Sequence, residues 1–159
     1  MARSQLNLTI AVAVIFLSIG LLVPSTSAID FRYCDKKGGH SVNVSGVEID
    51  PYPVTRNKET TFKISASTDK PITGGKLVIE VTYIWFHVRT ETHDLCTETS
   101  CPVSAGDFQI GHTQVLPGYT PPGSYTLEMK LEDGNKKQLT CIEFDFSIGF
   151  LESEAVADS

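Results

Sequence analysis

Tyr125-Thr126-Leu127-Glu128-Met129-Lys130-Leu131-Glu132 alternates apolar and polar residues without a break. Successive side chains of a strand point to opposite faces, so this spacing predicts a half-buried β-strand with Tyr125, Leu127, Met129 and Leu131 on its inner face. Asp133-Gly134-Asn135-Lys136 then supplies turn residues. The next run repeats the period, with Ile142, Phe144, Phe146 and Ile148 set against Glu143, Asp145 and Ser147. Upstream, Thr61–Ala66 places Phe62, Ile64 and Ala66 on one face. Ser41–Ile49 and Phe108–Val115 add two further strands. Gly46 sits where Val42 and Val44 fall out of phase with Val47 and Ile49, which predicts a bulge there. Lys76–Val88 reads as one longer strand carrying Leu77, Ile79, Val81 and Tyr83 on a shared face. From Ile84 both of its faces turn apolar (Ile84, Trp85, Phe86), which implies cover on both sides or a bulge. No stretch beyond the first residues reads as a helix. Six or seven strands with turn residues between them indicate an all-β fold, an immunoglobulin-like antiparallel β-sandwich.

The chain begins differently. Arg3 precedes an almost wholly apolar run from Leu8 to Val23, and Ser25-Thr26-Ser27-Ala28 offers small residues for cleavage. That order is the pattern of a secretory signal peptide, and the apolar run is short for a membrane anchor. The expected organisation is therefore a leader at residues 1–28, one β-sandwich domain at 29–150 and an acidic, disordered tail at 151–159. Arg3 is the one charged residue of the leader, so its removal makes the net charge of −6 one unit more negative. Ala105 to Met129 holds no Lys or Arg, and the remaining basic residues form no stripe, which argues against a nucleic-acid partner. Export would also make Asn43-Val44-Ser45 an available glycosylation sequon. Val42 and Val44 take the opposite face and turn Asn43 outward.

Four cysteines in an exported chain read as disulfides, and their number leaves three pairings open. The nested one, Cys34 with Cys141 around Cys96 with Cys101, is preferred because it ties the two ends of one domain together. A loop of that size is worth about 4–5 kcal/mol in the chain-entropy picture. His93, Cys96 and Cys101 could be drawn as three zinc ligands, but an oxidising compartment favours the bridge, so neither a metal nor a cofactor is expected. His40, His87 and His112 are scattered and lack a partner motif. With no G-x-S-x-G elbow, H-E-x-x-H pair or phosphate-binding glycine loop, no catalytic residue is assigned and the chain is not read as an enzyme.

Several short motifs, taken in order, carry a family resemblance. They are Phe31-Arg32-Tyr33-Cys34, Val47-Glu48-Ile49-Asp50-Pro51-Tyr52-Pro53, Cys96-x4-Cys101-Pro102, Leu116-Pro117 and Leu139-Thr140-Cys141-Ile142-Glu143-Phe144. Together they resemble the MD-2-related lipid-recognition (ML) domain family, which includes the Niemann-Pick type C cholesterol carrier and phosphatidylglycerol/phosphatidylinositol transfer proteins. The resemblance runs from Asp30 to Phe150 and implies the nested disulfides. Tyr52 stands where one cysteine of a further bridge in the cholesterol carrier would fall, so the fold carries over ahead of sterol specificity.

What the resemblance implies is a sterol or phospholipid held in an apolar cavity between the sheets and moved between membranes. Its partners would be the lipid, a transiently touched membrane surface and a possible receptor or membrane protein. Its place would be the secretory pathway, ending outside the cell or in a lysosome or vacuole. Candidate lining residues are Phe62, Ile64, Val81, Tyr83, Trp85, Leu116, Tyr125, Leu127, Met129, Phe144, Phe146 and Ile148. Alternating apolar positions ordinarily fill a core, and only the resemblance turns them into candidate lining. The entrance would be formed by the proline-rich Leu116–Gly123 loop and by Trp85-Phe86 leading into a loop over Arg89–Asp107. The alternative is an interaction module that presents lipid to a receptor in defence or signalling.

Overall fold

The two runs on either side of the Asp133–Lys136 turn become neighbours inside a five-stranded sheet. The computed structural model describes residues 26–35 and 38–149. The expected tail, and all but the last three residues of the expected leader, lie outside the described residues. In chain order the elements are β1 (Ser27–Ile29), β2 (Phe31–Tyr33), β3 (Val42–Asp50), β4 (Glu59–Thr68) and β5 (Gly75–Tyr83). They continue with β6 (Phe86–Asp94), a four-residue helix α1 (Leu95–Glu98), β7 (Gly106–Val115), β8 (Gly123–Asp133) and β9 (Gln138–Ile148). One sheet has the order β1-β3-β4-β7 and the other β2-β9-β8-β5-β6, with antiparallel neighbours throughout. This is the all-β sandwich read from the alternation.

The two sides of the sandwich are closed by different means. On one side the chain passes from sheet to sheet at Asp30, so β1 and β2 join the layers with continuous backbone. β1 includes Ser27 and Ala28, paired with Ile49 and Glu48, so the expected leader junction falls inside this strand. Cys34–Cys141 lies on the same side but within the five-stranded sheet, where it ties the chain after β2 to β9, and Cys34 N–H donates to the Cys141 carbonyl at 3.0 Å. The opposite side has β6 and β7 as its edges, one from each sheet, and they are not paired with each other among the described residues. They are linked at one end by α1 and the loop that Cys96–Cys101 closes. Asp94 caps α1 by accepting from Cys96 N–H at 2.8 Å, and Leu95 is fully buried beneath it. Both disulfides are the nested pair.

The expected bulge is present: Val44 pairs with Ala66 but Gly46 with Ser65, leaving Ser45 as the extra residue. Lys76–Val88, however, is not one strand. β5 ends at Tyr83, the chain turns through Ile84-Trp85 with Ile84 in the left-handed region (φ 58°), and β6 returns beside β5. The doubly apolar stretch is the exposed tip of a hairpin, and nothing covers it among the described residues. Its turn carries no Gly, Asn or Pro, the residues that usually announce such a reversal, which is why the sequence read as continuous. The expected Arg89–Asp107 loop is likewise mostly β6 and α1. β6 lacks alternation because it is an edge strand, exposed along most of its length and protected by charge.

The interior falls into two halves. Toward α1, Ile64, Ala66 and Ile110 from one sheet meet Leu77, Met129, Leu131 and Ile142 from the other around a void of about 10 Å³. That is room for one water at most. Toward the Ile84-Trp85 turn the sheets enclose something much larger.

Candidate functional site

The larger space is an apolar cavity of about 300 Å³. Its walls follow from the alternation of four strands: Phe62 on β4, Val81 and Tyr83 on β5, Tyr125 and Leu127 on β8, and Phe146 and Ile148 on β9. Leu116 and Pro117, at the end of β7, form its rim with Tyr119 and Pro121. Eight of the twelve candidate residues therefore share one cavity. The other four do not line it. Ile64 and Met129 lie in the closed half, Phe144 is wholly buried with its ring 6.2 Å from that of Phe62, and Trp85 is 74% exposed at the hairpin tip. A strand's inner face runs through both halves, so period alone assigns residues to the interior and not to either half.

The rim is held by two tyrosines. Tyr83 donates to the Pro122 carbonyl at 2.9 Å and Tyr125 to that of Pro121 at 2.7 Å, which anchors the proline loop to the sheet below. Their rings pack 4.8 Å apart, and Tyr125 stacks on Phe146 at 5.5 Å. Burial, with Tyr83 beside it, pushes the Tyr125 phenol above its ordinary value, so it stays a neutral donor. Gly123 takes φ +133°, and a Cβ there would come within 3.1 Å of the Tyr83 ring, so glycine is what lets the loop pass. Of the second expected entrance segment, Trp85 and Phe86 stand beside the mouth and Arg89 and Glu91 line the cavity, but the disulfide-closed tip lies elsewhere. The Cys96–Cys101 loop follows the end of β6 that pairs with Lys76, whereas the mouth lies at its beginning, beside Tyr83.

Apolar groups surround the mouth. Ile84, Trp85, Phe86 and Val88 on the hairpin and Tyr119 on the proline loop are all more than half exposed. Val88 and Tyr119 also line the cavity, so outer patch and inner wall are continuous.

One wall differs from the rest. Along the unpaired edge, the cavity is bounded by Arg89 and Glu91 of β6 and by His112 and Gln114 of β7. Arg89 Nε lies 2.6 Å from Glu91 Oε1, and Glu91 Oε2 lies 3.1 Å from His93 Nε2. Glu98 of α1 reaches both imidazoles, at 3.5 Å from His93 Nδ1 and 3.2 Å from His112 Nδ1. Burial lowers the His112 pKa, against the opposing pull of Glu98, so its imidazole is neutral at neutral pH. None of this wall was assigned from the sequence. Glu91 and His93 are two apart on one strand face, a weak signal, and their partner His112 comes from the other sheet. Nothing in local spacing connects them.

Residues 28–148 match the ML domain family, and the chain belongs to it. It is 30% identical over 118 residues to a Dictyostelium discoideum protein provisionally named a phosphatidylglycerol/phosphatidylinositol transfer protein, covering 72% of this chain and 81% of that one. An MD-2-related lipid-recognition protein of Arabidopsis thaliana is 29% identical over 151 residues, covering 90% and 88% of the two chains. Among solved structures, a Niemann-Pick type C2 protein from the Japanese carpenter ant superposes with a TM-score of 0.61 at 16% identity, over 76% of this chain and 99% of that one. Chicken MD-1 complexed with lipid IVa superposes at 0.52 with 14% identity, over 81% and 100%. At these identities the two structures share the fold.

Proposed function

We propose, from membership of the ML domain family, that this chain is a non-catalytic lipid carrier whose ligand occupies the cavity at the open end of the sandwich. The observation that carries the reading is the continuity of a 300 Å³ apolar cavity with an exposed apolar collar. Moving hydrocarbon from water into such a space is favourable by about 25 cal/mol per Å² buried. A sealed core would need no exposed Trp85, Phe86 and Tyr119 around its mouth. We assign that collar to transient contact with a membrane surface, where amphipathic rings settle at the level of the headgroups. The rim tyrosines then keep the mouth shaped while the ligand passes.

The cavity lies at the small end of the range for ligand pockets, which runs from about 300 to 1,000 Å³. That suits one sterol or one acyl chain, so a diacyl lipid would leave its second chain and its headgroup at the apolar collar. The names of the relatives favour a phospholipid, phosphatidylglycerol or phosphatidylinositol, over a sterol. They do not favour the receptor-docking alternative. Two disulfides suit an oxidising compartment, so the proposed place of action is the secretory route, outside the cell or in a lysosome or vacuole. Asn43 is exposed on β3 and sterically free to carry a glycan.

The test is extraction of lipid from gently purified protein, followed by transfer of labelled phosphatidylinositol, phosphatidylglycerol and sterol between vesicles. One lipid per chain and transfer of at least one class are expected. Val81→Glu places a carboxylate in the apolar wall and should reduce lipid uptake more than tenfold in a folded protein. Undiminished binding by that variant, or an empty protein that refuses all three lipids, would remove the cavity as the site. Phe144 cannot serve for this test, because its full burial makes any charged substitution a folding defect.

A further inference from the structure

We propose that Glu91, His93 and His112 bind one divalent transition-metal ion, zinc ahead of the others, with Glu98 orienting both imidazoles from behind. One ligand atom from each of the three lies within 4.8 Å of the other two. Tetrahedral zinc with bonds of about 2.0–2.1 Å brings its ligands closer together than that, so small side-chain rotations would complete the set. Two imidazoles and a carboxylate match the preference of zinc, and leave a fourth position open.

The surroundings have the form of a metal site's outer shell. Ligating histidines usually give their other ring N–H to a carboxylate, and Glu98 stands at Nδ1 of both rings at 3.5 and 3.2 Å. Arg89 engages Glu91 Oε1 alone at 2.6 Å, while Oε2 faces His93 Nε2 at 3.1 Å. Side chains of Glu91, Glu98 and His112 are 14%, 10% and 5% exposed, and that of His93 is 29% exposed. Glu91 and Glu98 have little contact with water, and a dication among them would be held by two carboxylates at once.

The location gives the ion a role. β6 and β7 are the unpaired edges of the two sheets, and the cluster is the polar bridge between them. A bound ion would clamp the open side as the continuous β1–β2 backbone clamps the other. Glu91 and His112 also line the cavity, so the open coordination position faces its interior and would accept water or a lipid oxygen. That last point alone rests on the carrier reading.

The experiment uses chelator-treated, delipidated protein titrated with Zn²⁺ by calorimetry and with Co²⁺ by visible absorption. One ion per chain is expected, with the intense bands of four-coordinate cobalt. Glu91→Gln and His93→Gln should each weaken binding at least 100-fold, and Glu98→Gln about 10- to 100-fold. Absent binding, a weak six-coordinate cobalt spectrum, or affinity unchanged in both ligand variants would overturn the site. The wild-type cobalt spectrum decides the matter even if a variant fails to fold. Vesicle transfer is measured separately. Failed transfer with intact metal binding counts against the carrier alone, and the reverse counts against the metal site alone.

Discussion

The closed and open halves of this sandwich are built from the same strands, and often from adjacent inward positions of one strand. On β4, Ile64 faces the closed half and Phe62 the cavity; on β8, Met129 faces the closed half while Leu127 and Tyr125 face the cavity. Both sets are apolar, and both alternate with polar residues. The halves differ in what stands at the side. Toward α1 the inward positions of β7 are Phe108 and Ile110, which pack against the opposite sheet. Farther along they become His112 and Gln114, facing Arg89 and Glu91 of β6. Polar groups of that kind keep their hydrogen bonds with one another and with Glu98 of α1, so this stretch of the edges is not filled by interlocking hydrocarbon as the other is. Four polar side chains on two edge strands separate a core from a cavity.

The comparison makes its largest prediction about stability. Phe144→Ala removes a ring from the fully packed interior and should cost about 3–5 kcal/mol in urea unfolding. Val81→Ala trims a residue already bordering open space and should cost about 1 kcal/mol. Equal costs would mean that the cavity is filled and rigid, and the division into halves would fail.

Next comes the collar. Trp85→Asp combined with Phe86→Asp leaves the cavity lining intact and should slow vesicle-to-vesicle transfer about tenfold, while equilibrium lipid content stays unchanged. Loss of bound lipid in parallel with transfer would make the hairpin tip part of the pocket and not its membrane contact.

The smallest effect belongs to the outer face, where the two halves do not differ. Asp145 accepts from Thr126 Oγ1 at 2.6 Å and pairs with Arg32, and both hold its carboxyl below the usual range. A depressed folded-state pKa stabilises above the unfolded value and is lost as pH falls through the folded one. Asp145→Asn should therefore lower stability near neutral pH by no more than about 1 kcal/mol, the pair being exposed, and the difference should fade as the pH falls through and below the ordinary carboxylate range. A larger loss in an acid titration followed by circular dichroism would show that the outer seam also supports the open half.

Six strands were legible because one face of each is buried and the other wet, and that imposes a period of two on the residues themselves. The bulge beside Gly46 and the nested bridges could be read for similar reasons, one as a break in phase and the other as cysteines at the two ends of a domain. The β5–β6 hairpin was not legible, since its turn is apolar and β6 has no dry face to mark. The family and its fold could thus be read from residues close in the chain. Three things depended on tertiary structure: which inward residues meet across a gap, that the gap is open, and that Glu91, His93, Glu98 and His112 come together at its edge. The physical reason is that alternation reports only whether a side chain faces inward. What it meets there is set by strands from the opposite sheet, and β6 and β7 come together through pairings that no local pattern encodes.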